Sequence, residues 1–413
     1  MAGGKAGLGT RSIVQPAVMR VPVPHHIVLS ALALALGAAV SLGLARFSYA
    51  LLLPPMREDL QWSYFTSGLM NAVNAAGYFV GAFTAPAGLR RWPAHRLLVG
   101  AAAAAALILL AHALTRSDLF LALWRGATGV VSAWMFVAGG VLAADLSTQL
   151  PAHRRASAGL VLGLYYGGVG WGIVACALVL PPLLHEAAAW PLGWMALAAC
   201  AAVALGLMAW KVSAPSPAAP KQDQAPRVPW QAFGWALAAY FMFGLGYIGY
   251  MTFIVTLLRE RDLTAPVVAA FYALLGVGVM ASPWLWAGLL QRHRDGKALA
   301  ALSALLAVAT AMPVVLPHPL WAFVSGALFG ACFLSVVAST TAWVRHNLPA
   351  AQWASGISAF TAVFAAGQVI GPGWVGWLAD GPAGLSGGLS LSAAFLLLGA
   401  ILAWQQRSLS STV

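Results

Sequence analysis

The sequence predicts an all-α membrane protein, with twelve transmembrane helices in two six-helix bundles. Three observations carry this reading. Of 413 residues, 61% are hydrophobic and only 8% charged, whereas a soluble domain carries about 25% charged residues. Apolar runs long enough to cross a hydrocarbon core about 30 Å thick recur along the whole chain. The later runs also echo the earlier ones at an offset of about 200 residues, as expected of an internally duplicated chain.

In chain order, residues 1–26 form a basic tail carrying Lys5, Arg11 and Arg20. A secretory signal is the rival reading for this end. It loses because the apolar run from Ile27 is long, leads into further spans and lacks a small-residue cleavage site. The first bundle, 27–210, holds predicted spans at 27–53, 63–85, 97–114, 119–144, 158–182 and 190–210. Residues 211–230 are rich in Pro, Ala and Ser, which marks a linker. The second bundle, 231–404, holds spans at 231–257, 266–290, 298–316, 320–343, 353–377 and 388–404, and 405–413 form a tail.

Charge sets the expected orientation, because Lys- and Arg-rich loops stay in the cytoplasm. With the N-terminus inside, sixteen of the twenty-two Lys and Arg residues fall on one side. Arg57, Arg116, Arg259 and Arg261 fall on the other, each beside an acid, so both termini and the linker are expected to be cytoplasmic. The net charge of +12 is spread over short loops and not gathered on one face, which excludes a nucleic-acid partner. Cys176, Cys200 and Cys332 lie inside apolar runs without ligand spacing. No metal cluster, phosphate loop or catalytic constellation appears, so neither a cofactor nor an enzyme is expected.

Two stretches repeat between the halves. Gly163, Gly167, Gly168, Gly170 and Gly172 in span five match Gly367, Gly371, Gly373 and Gly376 in span eleven, and Gly88-Leu89-Arg90-Arg91 matches Gly288-Leu289-Leu290-Gln291-Arg292. Together with Arg125-Gly126-Ala127-Thr128-Gly129 in span four, these features resemble the major facilitator superfamily over nearly the whole chain. More narrowly, Arg46-Phe47-Ser48-Tyr49 through Pro54-Pro55-Met56, followed by Met70-Asn71 through Asn74 and Gly77-Tyr78 to Gly81, resembles its YbfB/YjiJ-type branch. The resemblance implies a bacterial inner-membrane transporter in which two bundles rock about a central site. Two positions depart from the pattern. Ala45 stands where Gly precedes the Arg, and Ala85 replaces the acid of the loop signature, so that a charge clasp would need Asp145 to pair with Arg90 or Arg91.

Arg46 interrupts an apolar run, and a guanidinium at bilayer depth costs about 3 kcal/mol unless it faces a protein interior or water. Snorkelling to the interface is the bland reading. The apolar residues continuing to Leu53 and the neighbours Phe47 and Tyr49 favour a pocket wall. Arg125 lies about 10 Å into span four at 1.5 Å per residue, with helix bonding as the alternative to substrate contact. Asn71, Asn74 and Tyr78 share one face of span two at i, i+3 and i+7. Tyr240, Phe243, Tyr247 and Tyr250 form an aromatic stripe on span seven, read either as packing or as pocket wall. Gln368, Tyr165, Tyr166, Tyr272, Ser335 and Ser339 are weaker candidates, and His112 is a weak candidate proton relay. Gly81, Gly163, Gly167, Gly371 and Pro372 read as close-packing and bending positions.

No Asp or Glu lies in the middle of a span. Arg46 and Arg125 therefore lack a carboxylate counter-charge in the chain, and a substrate is expected to supply it. The expected function is secondary transport of a small organic anion by a monomer embedded in the lipid bilayer. Efflux of apolar, aromatic or drug-like compounds is the alternative.

Overall fold

The structure, a computed structural model, describes residues 25–150, 158–212, 230–349 and 352–409. Residues 1–24 of the basic tail, Arg154, Arg155 and most of the linker, including Lys221 and Arg227, lie outside the described residues. Twelve long helices run through the described part: α1 His25–Asp59, α2 Tyr64–Arg91, α3 Ala94–Ala113, α4 Asp118–Thr148, α5 Ala158–Val179 and α6 Trp190–Lys211. The second six are α7 Gly234–Glu260, α8 Ala265–Leu285, α9 Lys297–Val315, α10 Pro319–Asn347, α11 Trp353–Ala379 and α12 Gly384–Gln405. Eleven are apolar enough to be read as spans from length and composition. The exception is α2, whose hydropathy is diluted by Asn71, Asn74 and its glycines and proline.

Several helices overrun their apolar runs. The first extends to Asp59 and not Leu53, the second to Arg91, the fourth to Thr148 and the tenth to Asn347. Hydropathy ends where water begins, but the i to i−4 hydrogen-bond ladder continues into the interfacial layer, where charged side chains are solvated. Sharp starts have local causes. The Ser63 hydroxyl accepts from Thr66 N–H at 3.0 Å to cap α2, and Pro319 opens α10 after His318 caps it.

Within α1, residues Ala39–Phe47 form a π-helical segment, a feature that the apolar pattern does not reveal. Ser48 N–H reaches back to Gly43 O at 3.0 Å, so carbonyls around Arg46 leave the regular ladder. Side chains satisfy them, as a membrane interior demands. Ser48 Oγ donates to Leu44 O at 2.5 Å, Arg125 to Ala45 O at 3.3 Å and Tyr272 to Phe47 O at 2.6 Å.

The two bundles repeat one packing scheme. In the first, α1 packs on α5, α2 on α4, and α3 on α4 and α6; in the second, α7 packs on α11, α8 on α10, and α9 on α10 and α12. The bundles meet along two equivalent seams, α2 with α11 and α5 with α8. At the first seam a Cβ on Gly68 would overlap the Pro372 carbonyl, and at the second a Cβ on Gly170 would overlap the Gly276 carbonyl. Glycine is required there by backbone contact.

One rim of the molecule carries Glu58, Asp59, Asp118, Glu186, Glu260, Asp262 and Asp380; the opposite rim carries Arg90, Arg91, Arg96, Lys211, Arg292, Arg294, Lys297 and Arg345. The Asp380 carboxylate at the end of α11 accepts from Tyr64 N–H at 2.8 Å and Phe65 N–H at 2.9 Å. It thus caps the first turn of α2 in the other bundle. Beside it Tyr64 donates its hydroxyl to Glu260, and Arg57 lies 3.8 Å from the Tyr64 ring centroid and 3.9 Å from Glu260. Among the described residues, no hydrogen bond or ion pair joins the bundles at the basic rim.

Candidate functional site

Arg46 points into the interface between the bundles and is only 4% exposed. The π segment holds it there, and the guanidinium donates through Nη2 to Gln368 Oε1 on α11. Arginine has only donors, so the oxygen of the amide must face it. Tyr247 of α7 donates its hydroxyl to the same oxygen at 2.7 Å. Aromatic faces complete the setting, with Tyr78 at 5.2 Å and Phe47 at 6.0 Å from the guanidinium carbon. Arg46 Nε is buried without an acceptor. Arg46, Tyr78, Tyr247 and Gln368 therefore form one cluster built from both bundles.

An aromatic column extends this cluster. Phe364, one turn before Gln368, lies 5.4 Å from Tyr247, 5.4 Å from Phe243 and 4.9 Å from Tyr240. Phe333 of α10 lies 5.9 Å from Tyr247 and 5.6 Å from Phe47. Phe364 and Phe333 were not legible as site residues. The i, i+4 pairing of Phe364 with Gln368 was the available signal for the first, and Phe333 offered none.

Arg125 sits in a different setting. It is 1% exposed, donates to Asn71 Oδ1 at 3.0 Å and Ala45 O at 3.3 Å, and has the Tyr49 ring 4.4 Å from its guanidinium carbon. Asn74 donates to the Arg125 carbonyl at 2.9 Å, and Tyr49 to the Ser67 carbonyl at 3.0 Å. These bonds tie α4 to α1 and α2 inside one bundle, so Arg125, Tyr49 and Asn74 serve helix bonding here. Asn71 extends further, its Nδ2 donating to Thr252 Oγ1 on α7 at 2.6 Å. Thr252 sits in an apolar stretch and carried no sequence signal.

The remaining candidates scatter. Tyr250 turns into its own bundle, with its hydroxyl 2.7 Å from Ser325 Oγ and its ring stacked 4.0 Å from Phe329. Ser335 pairs with Ser282 at 2.6 Å, and Ser339 donates to Val336 O. Tyr165 donates to Phe136 O at 2.6 Å, beside the exposed Tyr166. Tyr272 crosses the interface to Phe47 O. His112 stacks on Trp194 at 4.3 Å within the first bundle. Gly81 packs on Val130 and Ala133, Gly371 on Leu245 within its own bundle, and Gly163 on the Trp284 ring across the seam. Gly167 makes only ordinary contact at 3.8 Å, so the close approach of α5 to α1 runs through Gly168 and Gly172 instead. The clasp is not formed between described residues: Arg91 lies over the Trp92 ring at 5.5 Å, and neither Arg90 nor Arg91 is within ion-pair distance of Asp145. An exposed pair there would contribute at most about 1 kcal/mol.

A family profile described as "Uncharacterised MFS-type transporter YbfB" matches residues 38–404, from the π segment of α1 to the end of α12. The chain belongs to that family of major facilitator superfamily transporters. No curated protein matches this YbfB-type chain in sequence. Among solved structures, it resembles a bacterial homolog of the human lysosomal transporter Spinster in an inward-facing, unoccupied conformation, with a TM-score of 0.70 at 16% identity over 93% of this chain and 98% of that one. The occupied, inward-facing form of that homolog gives 0.68 at 16% identity over 92% and 96%. A point mutant of the nucleoside transporter NupG gives 0.66 at 13% identity over 91% and 98%. At these identities the likeness shows the fold alone.

Proposed function

We propose that this YbfB-type protein moves a small organic anion across the bacterial inner membrane by alternating access, acting as a monomer with both termini cytoplasmic. The observation that carries the reading is the state of Arg46. Its cation is buried where the two bundles meet, with a neutral amide oxygen, two ring faces and an unpartnered Nε. A carboxylate would add the missing charge and accept a planar pair of N–H groups, which the amide cannot do. The aromatic column beside it supplies a wall for a flat or apolar body.

Alternating access is supported by where the bundles are tied. Their cross-links lie at the depth of Arg46 and at the carboxylate rim. Under this reading the carboxylate rim, tied between α2 and α11, is periplasmic, and the basic rim, where among the described residues no hydrogen bond or ion pair joins the bundles, is cytoplasmic. Arrival of an anion would draw Arg46 from Gln368 and so loosen one tie between the bundles.

The aromatic column also favours a second reading, efflux of apolar, aromatic or drug-like compounds. One experiment separates the two: uptake from a defined metabolite mixture into proteoliposomes, with and without a proton gradient, for the wild type and Arg46→Gln. The anion reading expects a carboxylate to be transported and its transport to vanish in Arg46→Gln. Transport of a neutral or cationic solute that survives this substitution would establish the second reading instead.

A further inference from the structure

A cavity of about 550 Å³ opens at the carboxylate rim between the ends of α1, α5 and α7 and the start of α8. Its floor is Leu51, Val255 and Val268, about one and a half turns beyond Arg46 on α1. Two features point to a ligand. Arg57 lines the cavity with its donors largely unspent: Glu260 at 3.9 Å is beyond hydrogen-bond range, the other neighbour is the Tyr64 ring, and Nε is shielded from solvent without an acceptor. Arg259, by contrast, is already committed to the Leu263 carbonyl at 2.9 Å. Thr256, 3% exposed, also lines the cavity, and its hydroxyl has no partner.

We propose that this cavity is a second binding site, for a small monocarboxylate, in which Arg57 takes the carboxylate and Thr256 a polar substituent. A guanidinium fork with free donors matches a planar oxyanion. The apolar floor takes the body of the molecule. Glu58, Glu186 and Glu260 also line the cavity and disfavour a second negative charge, which restricts the ligand to a single net charge. The site uses no residue of the Arg46 cluster, so the proposal stands whatever that cluster carries.

The test places one reporter at the mouth. His185→Cys, at an exposed position in the cavity lining, is labelled with an environment-sensitive fluorophore in a chain whose Cys176, Cys200 and Cys332 are replaced by Ala, in nanodiscs. Benzoate, phthalate and benzylamine are titrated as monoanion, dianion and cation. The expected result is a saturable response to benzoate, with the other two at least about tenfold weaker. Arg57→Gln should raise the half-saturating benzoate concentration at least about tenfold, the loss expected for a charge-assisted contact. Arg57→Lys, which keeps the charge but not the fork, should give an intermediate loss and guards against misfolding of the first variant. Thr256→Val should leave the benzoate response intact and weaken that of 3-hydroxybenzoate. The proposal is overturned if benzoate gives no saturable response or if both Arg57 variants match the parent.

Discussion

Arg125 and Arg46 are the same residue at membrane depth, yet the protein treats them in opposite ways. The guanidinium of Arg125 is answered from within its own bundle, by Asn71 on α2, by the Ala45 carbonyl on α1 and by the Tyr49 ring. Arg46 is answered across the interface, by an amide oxygen on α11 shared with Tyr247 on α7. A buried cation satisfied inside one rigid body is a structural fastener. Under the proposed alternating access, one satisfied between two bodies that separate would be a moving part, and its partner would have to be weak enough to leave. A neutral amide meets that condition better than a carboxylate would, since a buried ion pair costs about 3–5 kcal/mol to break.

The sharpest way to break this comparison is to remove each charge in turn. Arg125→Met should lower stability by about 3 kcal/mol, because it strands Asn71 Oδ1 and the Ala45 carbonyl without donors, as read by unfolding in detergent. Arg46→Met should leave stability within about 1 kcal/mol of the wild type, since the buried charge is removed and Gln368 Oε1 keeps the Tyr247 hydroxyl as its donor, while uptake falls to background. Equal losses of stability would mean that both residues are fasteners.

A smaller effect is expected at Gln368. Replacing it with Leu removes the neutral acceptor that competes for Arg46, so the solute identified in the uptake screen should bind about three- to tenfold more tightly, in line with one hydrogen bond. Weaker binding in Gln368→Leu would place the amide on the substrate instead. At the seams, Gly68→Val should push α2 from the Pro372 carbonyl and cut disulfide cross-linking between Phe65→Cys and Gly373→Cys by more than half, an overlap cost of about 1–3 kcal/mol. Gly167→Ala, with only ordinary contact around it, is the control that should leave cross-linking unchanged. Asp380→Asn should have the least effect, about 1 kcal/mol for a weakened helix cap. It should appear as faster alkylation of a cysteine at position 65 and not as lost folding.

Much of this was legible in the chain and some was not, for identifiable reasons. Arg46 and Arg125 stood out because a charge in hydrocarbon is an anomaly that a single position announces. The shared face of Asn71, Asn74 and Tyr78 followed from helical periodicity. Periodicity could not say which of them would look at the other bundle: Asn71 bonds to both Arg125 and Thr252, Asn74 stays home, and Tyr78 lies under Arg46. The same limit applies to the span-seven stripe, where Tyr247 joins the Arg46 cluster and Tyr250 turns to Ser325.

By itself the sequence determined the quantities that are local or additive. Hydropathy over about 20 residues sets a span, glycine permits close backbone approach, and the duplicated pattern sets two bundles of one design. Tertiary structure alone decided the partnerships. Gln368 is 322 residues from Arg46 and Asp380 is 316 from Tyr64, and nothing in a linear pattern encodes which faces meet across two seams. The π segment of α1 belongs to the same class. It persists because Arg125 and Tyr272, from different bundles, donate to its freed carbonyls, and this borrowed support turns Arg46 towards the interface.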